Sequence, residues 1–292
     1  MVEKNGLFVG LTTVDIQYFV DAHPHEDSKL KADAAPLVLP GGPAANAAIA
    51  FAALSGHADF LSCVGQNEFS DFVTIAFEAK NVKLIDAMQA LPYHPIMATV
   101  ITNVSNSKRT IVTHHPDALD LKIDKPLSSV DLTDYDFVFT DGFYPELAVP
   151  LCKMARENGL PVLFDGGSWK PQMPEILPLV DVAVCSANFI PPGCTTYKQI
   201  FEATRNFGVS HMAISRGSEP IITPTGTIPV EITDAVDSLG AGDVLHGALC
   251  FYYSQGYEFE EALQKASIIA TFSTRFRGAQ AWIEYLQGIL PE

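Results

Sequence analysis

Cationic side chains are scarce in this chain. Over 292 residues, 18 Lys and Arg stand against 34 Asp and Glu, a formal charge of −16. Nucleic-acid and anionic-membrane surfaces need a basic stripe, so both partner classes are disfavoured. Cysteine is sparse as well: Cys63, Cys152, Cys185, Cys194 and Cys250 are scattered, odd in number and without a CxxC pair. Neither a disulfide framework nor a zinc site is indicated, and a reducing, cytoplasmic compartment is expected. No apolar run nears the roughly eighteen residues of a membrane span, and "MVEKNGLFVGLTTVD" enters a strand pattern without the apolar core of a signal peptide. A soluble, unprocessed chain is expected. Two nucleotide signatures are missing. The lack of GxxxxGK disfavours a Walker-type ATPase, and "LTTVDIQ" in place of GxGxxG after the first strand disfavours a Rossmann dehydrogenase. His23 and His25 in "AHPHED" have no third ligand placed beside them and read as a solvated loop.

What is present is ample core and a strong rhythm. Hydrophobic residues make up 48% of the chain, enough for one large domain with or without an appendage. "GLFVGLTTV", "ADFLSCVG", "DFVFTDG", "LPVLFDGG", "VDVAVCSA" and "VSHMAISRG" read as strands. Between them "PAANAAIAFAALSG", "EFSDFVTIAFEAKN", "PELAVPLCKMAREN" and "YKQIFEATRNFG" read as helices. Repeated strand and helix predict a doubly wound, mostly parallel α/β sheet with helices on both faces. Ligands in such sheets sit at the carboxyl ends of the strands, where Asp15, Asp141, Asp165 and Gly217 are expected. One segment breaks the rhythm: "PIMATVITNVSNSKRTIVTHH" has strand composition on both sides of a turn and no helix. With "APLVLPGG" it predicts a small β lid, from about 15–40 and 94–115, on a single domain spanning 1–292.

The stretch "VDSLGAGDVLHGALC", residues 236–250, carries the chemistry. Gly240, Ala241 and Gly242 precede a helix whose first amides have no internal partner, a site suited to a phosphate. Asp243 follows at once. It is either a complement to the helix dipole or a general base beside a bound phosphate.

"PGGPAANAAIAFAALSG" places a Gly41–Gly42 pair before Asn46, and the GGxxxN element pairs with DxxGAGD at the other end of the chain. Together, and with "VGQNEFS", "SKRT", "AISRG" and "RFRGAQ" in order between and after them, they resemble the ribokinase or PfkB family of carbohydrate kinases along nearly the whole chain. The resemblance implies a ribokinase-like fold and transfer of a phosphoryl group from ATP, with Mg2+, to a hydroxyl of a small sugar. It implies Asp243 as base and Gly240, Ala241 and Gly242 as an anion hole, which suits a transfer that needs mainly positioning and electrostatic stabilisation. It places Asp15, Gly41, Gly42 and Asn46 at the sugar, with a strand-end cap and a tight helix start as their structural alternatives. Asn188, Ser215, Arg216 and Gly217 fall at the nucleotide, Asn188 serving equally well as a turn cap. Asp237 falls where related kinases hold a monovalent cation such as K+.

Three departures stand out. "NFIPPG" lacks the glutamate of NxxE that helps organise magnesium, "VGQNEFS" lacks GxDxxG, and Ser238–Leu239 replace two threonines. Magnesium would then rest on phosphates, water and Asp243. A nucleoside or sugar-phosphate kinase is the alternative within the fold; for the latter, Lys108 and Arg109 in the hairpin are the available cation pair. A catalytically weak sugar-binding regulatory relative is the alternative of another class. The runs "LGAGDVLHGAL" and "GGPAANAA" look most like the ketohexose branch, so a ketose phosphorylated at its primary hydroxyl is expected. The edge strands of a lid invite pairing, so a homodimer through it is also expected.

Overall fold

The structure, a computed structural model, describes residues 3–114, 123, 127 and 130–288. Its centre is a nine-stranded sheet. Seven strands run parallel in the order β11-β10-β9-β8-β1-β4-β5: β1 is Gly6–Val9, β4 Ala58–Ser62, β5 Val82–Asp86, β8 Phe137–Thr140, β9 Val162–Gly166, β10 Val182–Ser186 and β11 His211–Arg216. Two antiparallel strands, β12 (Glu219–Thr223) and β13 (Gly226–Ile228), extend the sheet past β11. Successive side chains of a strand point to opposite faces, and in β1 Phe8 enters one buried cluster while Leu7 and Val9 enter the other. Near-continuous apolar strands such as "VLF" and "VAVC" follow from that two-sided burial.

Helices cover both faces. One carries α1 (Pro43–Ser55), α2 (Ser70–Glu78), α6 (Ala241–Ser254) and α7 (Phe259–Ser273); the other carries α3 (Pro145–Glu157), the short α4 (Met173–Ile176) and α5 (Tyr197–Asn206). The sequence marks their ends. Pro43 and Pro145 open α1 and α3, Gly56 closes α1 in the left-handed conformation, and Thr196 with Gln199 forms a capping box on α5. The helix expectations hold at α1, α2, α3 and α5. The strands β5, β12 and β13 and the helix α7 had no counterpart in the sequence reading.

A separate four-stranded sheet has the order β3-β2-β6-β7, with β2 Thr13–Val20, β3 Leu37–Gly41, β6 Ile96–Asn103 and β7 Lys108–Thr113. Strands β6 and β7 form the expected hairpin around residues 104–107. Residue 115, with which the expected lid segment ends, and the terminal residues 1, 2 and 289–292 of the expected domain lie outside the described residues. The sequence reading of "GLFVGLTTV" as one strand is corrected: the chain leaves the large sheet after Val9 and enters the small one at Thr13. Asp15 therefore sits inside β2, not at the end of a large-sheet strand. The break has a tertiary cause: the Leu11 amide donates to the carboxylate of Asp141 at the end of β8 and turns the chain there.

Candidate active site

The site is built where α1 and α6 come together. A side chain at Gly247 of α6 would collide with the carbonyl of Ala47, 2.3 Å from the ideal Cβ position, so only glycine lets the helices approach this closely. Ala44, Ala45, Ala47 and Ala48 keep the facing surface of α1 flat. The close approach sets Asn46 Nδ2 to donate to Asp243 Oδ2 at 2.8 Å. Asn46 is 7% exposed, and its Oδ1 is buried without a hydrogen-bond partner. Such an acceptor is costly unless a ligand supplies a donor.

Asp243 is half-buried and is the third residue of α6. Burial raises its pKa well above the usual carboxylate range; Asp165 and Asp15 add to the rise, while the Asn46 amide and Arg109 oppose it. The turn before it is fixed by Gly240, whose backbone is left-handed at φ 75° and whose Cβ position lies 2.7 Å from Ala279 Cβ. Beyond that turn the amides of Gly242 and Asp243 belong to the first helical turn, which has no acceptors of its own.

Asp15 faces this corner from the small sheet. Its carboxylate accepts from Thr13 Oγ1 at 2.6 Å, and burial outweighs that bond and raises its pKa. Gly41 packs directly against it, since a Cβ there would lie 2.1 Å from Asp15 Oδ2, and Gly42 is the residue before α1. A cavity of about 10 Å³ lies between them, lined in part by Asp15, Asn46, Leu39 and Gln280. That is room for about one water molecule.

Arg109, expected at the substrate, donates from Nη1 to Ser238 Oγ at 2.6 Å, and its charge opposes the rise at Asp243. Asp237, expected near a cation, is 2% exposed, and its carboxylate accepts three N–H groups: Gln17 Nε2 at 2.6 Å, Gly278 N at 2.9 Å and Leu239 N at 3.0 Å. On the nucleotide side, Asn188 is exposed after β10, its amide donating to Ser186 Oγ at 3.1 Å. Ser215 Oγ donates to the Cys185 carbonyl at 3.4 Å. Arg216 is turned into the β11–β12 hairpin, where it pairs with Glu219 and donates to the Pro220 carbonyl, and Gly217 makes the turn with φ 65°. The structure thus brings Asp15, Gly41, Gly42, Asn46 and Gly240–Asp243 together, and sets Asn188 and Ser215–Gly217 at the ends of β10 and β11.

Three polar groups at this face were not assigned as site residues from sequence. Asp141 is 2% exposed and accepts amides of Leu11, Ala44 and Phe143. Asp165 lies 3.7 Å from His246 Nδ1, and the two ring nitrogens of His246 face the carbonyls of Gly242 at 2.7 Å and Val184 at 2.9 Å. The repeated Asp-Gly after an apolar strand, "FTDG" and "LFDGG", was the signal available for both aspartates.

A doubly wound sheet with a small second sheet beside a glycine-marked helix start defines the ribokinase-like fold. The family profile of "pfkB family carbohydrate kinase" matches residues 4–284, and the chain belongs to that family. Deoxyribokinase of Salmonella typhi is 23% identical over 292 residues, covering 94% of this chain and 93% of that protein. Ketohexokinase of Mus musculus is 22% identical over 310 residues, covering 99% and 100%. The crystal structure of ribokinase from Thermotoga maritima superposes with a TM-score of 0.77 at 21% identity, over 98% of this chain and 100% of that one, and shows the shared fold.

Proposed function

We propose that the chain transfers the γ-phosphoryl group of ATP to a hydroxyl of a small carbohydrate. The observation that carries the reading is Asp243: a carboxylate of raised proton affinity, held by Asn46 instead of capping its own helix, next to the Gly240 turn. In the reaction the acceptor hydroxyl oxygen bonds to the γ-phosphorus as its proton passes to Asp243, and the bond from γ-phosphorus to the bridging oxygen breaks to release ADP. The amides of the 240–243 turn stabilise charge on the transferring group. The unpaired Asn46 Oδ1 and the Asp15 carboxylate are acceptors suited to sugar hydroxyls. Gly41 and Gly42 let the sugar approach the backbone, and Asn188 and Ser215–Gly217 would lie beside the nucleotide.

Among the described residues no group of three His, Cys, Asp or Glu side chains is placed to hold a metal. Magnesium that travels with a nucleotide is held mainly by phosphates and water, so Asp243, with the buried Asp165 near it, would be a sufficient carboxylate set; the ion would neutralise phosphate charge. The K+ expectation draws no support from Asp237, whose oxygens already accept three N–H groups. A sugar-phosphate acceptor is the alternative within the fold, for which Arg109, whose charge is felt at Asp243, is the available cation. A ketose remains the preferred acceptor, with ketohexokinase among the relatives.

The 10 Å³ cavity supports a lid role for the small sheet, which must swing outward to admit a sugar. Its outer face exposes Tyr18, Val38, Met97 and Val112, a surface suited to pairing two copies through the lid. No described helix is long and apolar enough to cross a membrane, and the five free cysteines suit a cytoplasmic setting. ADP release over a panel of ketoses, aldoses, nucleosides and sugar phosphates tests the reading. ADP release with a ketose is the expected result; none with any acceptor from folded protein would leave the sugar-binding regulatory reading standing.

A further inference from the structure

We infer that the small sheet sets the geometry of the Gly240–Gly242 turn through a hydrogen-bonded latch in which Gln17 is a positioning residue. Three side chains of that sheet and its hairpin fall on three of the four residues 235–238, just before the turn. Ser107 Oγ donates to the Ala235 carbonyl at 2.5 Å, Gln17 Nε2 to Asp237 Oδ2 at 2.6 Å, and Arg109 Nη1 to Ser238 Oγ at 2.6 Å. They come from two separate pieces of chain, β2 and the β6–β7 hairpin, so the convergence is not a by-product of one local turn. The central bond is buried, with Gln17 and Asp237 each 2% exposed. Gln17 Nε2 also donates to Thr102 Oγ1 of β6 at 2.8 Å, which fixes the amide from the other side.

The path onward is short. Asp237 Oδ1 accepts the Leu239 amide at 3.0 Å, and Leu239 is followed by Gly240, the left-handed residue that starts α6. Asp237 Oδ2 accepts the Gly278 amide at 2.9 Å, and next to Gly278 stands Ala279, the residue against which Gly240 packs. A displaced Gln17 therefore unsettles both walls of the turn at once. With the sheet down, Asp237 holds them in register. With the sheet raised to admit a sugar, the Gln17 bond is broken and the register is released. The anion hole is thus complete only when the lid is shut, which couples sugar capture to stabilisation of the transferring phosphoryl group and protects ATP from water in the open state.

The catalytic part of this inference rests on the kinase reading; the latch itself rests on the geometry alone. Gln17→Met keeps the bulk and removes the donor. Hydrogen exchange of the full chain without ligand should show the amides of 235–243 exchanging about tenfold faster than in the wild type, with α1 and the large sheet unchanged. Unchanged exchange at 235–243, or a uniform rise over the whole chain, would overturn the latch. With ATP, Mg2+ and whichever of D-fructose or D-ribose yields ADP from the wild type, kcat of Gln17→Met should fall by about 10²-fold and KM for ATP should stay within about twofold. Equal kcat would overturn the coupling. A wild type that releases no ADP with either probe counts against the kinase reading, and the exchange result still decides the latch. Should Gln17→Met not fold, Arg109→Met on the exposed edge carries the same exchange test at 236–240, with faster exchange expected and no change contradicting the inference.

Discussion

The starts of α1 and α6 are built from the same parts, a glycine turn and an aspartate, and they do opposite things. At α1 the N-cap Gly42 offers no side chain, and Asp141 caps the helix from the end of β8 by accepting the Ala44 amide at 3.1 Å. Its other bonds, from Leu11 and Phe143 amides at 3.0 Å each, leave the corner closed. At α6 the aspartate is on the helix itself and its bond goes to Asn46 of the other helix at 2.8 Å, so the helix start stays open. Burial raises both carboxylates, Asp141 to about 6 and Asp243 well above its usual range. The difference lies in the neighbours: backbone amides oppose the rise at Asp141, whereas Asp165 and Asp15 add to it at Asp243. A carboxylate at a helix start is structural when it is saturated by amides and available for proton transfer when it is not.

The sharpest way to break this comparison is Asp243→Asn. Asparagine keeps the size and the helix-start preference but takes no proton, so turnover should drop about 10²–10⁴-fold while the thermal midpoint stays within about 2 °C. A calorimetric scan beside a kinetic assay of the folded variant measures both. Gly240→Ala is expected to be next in size. It forces a Cβ toward Ala279 at a backbone of φ 75°, and loss of the hole should cost about 10²–10³-fold in kcat, read by steady-state kinetics.

Asp141→Asn tests the closed corner through pH. A pKa raised to about 6 from 3.8 means that the native state holds this proton more tightly than the unfolded chain. The stabilising proton is fully present below about 4 and is lost as pH rises through about 6, a change of about 3 kcal/mol. Wild-type stability, measured by urea unfolding, should therefore fall relative to Asp141→Asn across that window. Asp59 works in the other direction: burial acts to raise its pKa, but its donors Tyr135, Lys83 and His57 together outweigh it and hold the pKa below the usual value, so its contribution appears above about 4 and is lost toward acid. A flat difference between wild type and Asp141→Asn would show that the three amides neutralise the burial cost. The smallest effect concerns the lid: residues 96–113 should exchange a few-fold more slowly once a sugar is bound. Equal protection with and without sugar would show that the sheet does not move.

The large sheet was readable because burial on both faces writes apolar runs into every strand, and the helices between them carry proline and glycine punctuation. Strands β12 and β13, in "EPIITPTGTIPV", are short and interrupted by turn residues. Asp15 is expected at a strand end because "GLFVGLTTV" is continuous in composition; the bend that puts it inside β2 depends on Asp141, some 130 residues away. Of the site, the glycine motifs and Asp243 were legible as local spacing. The Asn46–Asp243 bond was not, because it depends on Gly247 letting two distant helices touch. Gln17 carries no motif at all, and its place on Asp237 is a product of sheet register.

The proton itself gives the most direct test of Asp243 as the base. The pH dependence of kcat should show an acid limb of unit slope whose apparent pKa lies well above the ordinary carboxylate value of 3.8, as burial and the neighbouring carboxylates require, and the residual activity of Asp243→Asn should lack that limb. The same limb in wild type and variant, or a wild-type limb at the ordinary carboxylate value, would contradict the assignment.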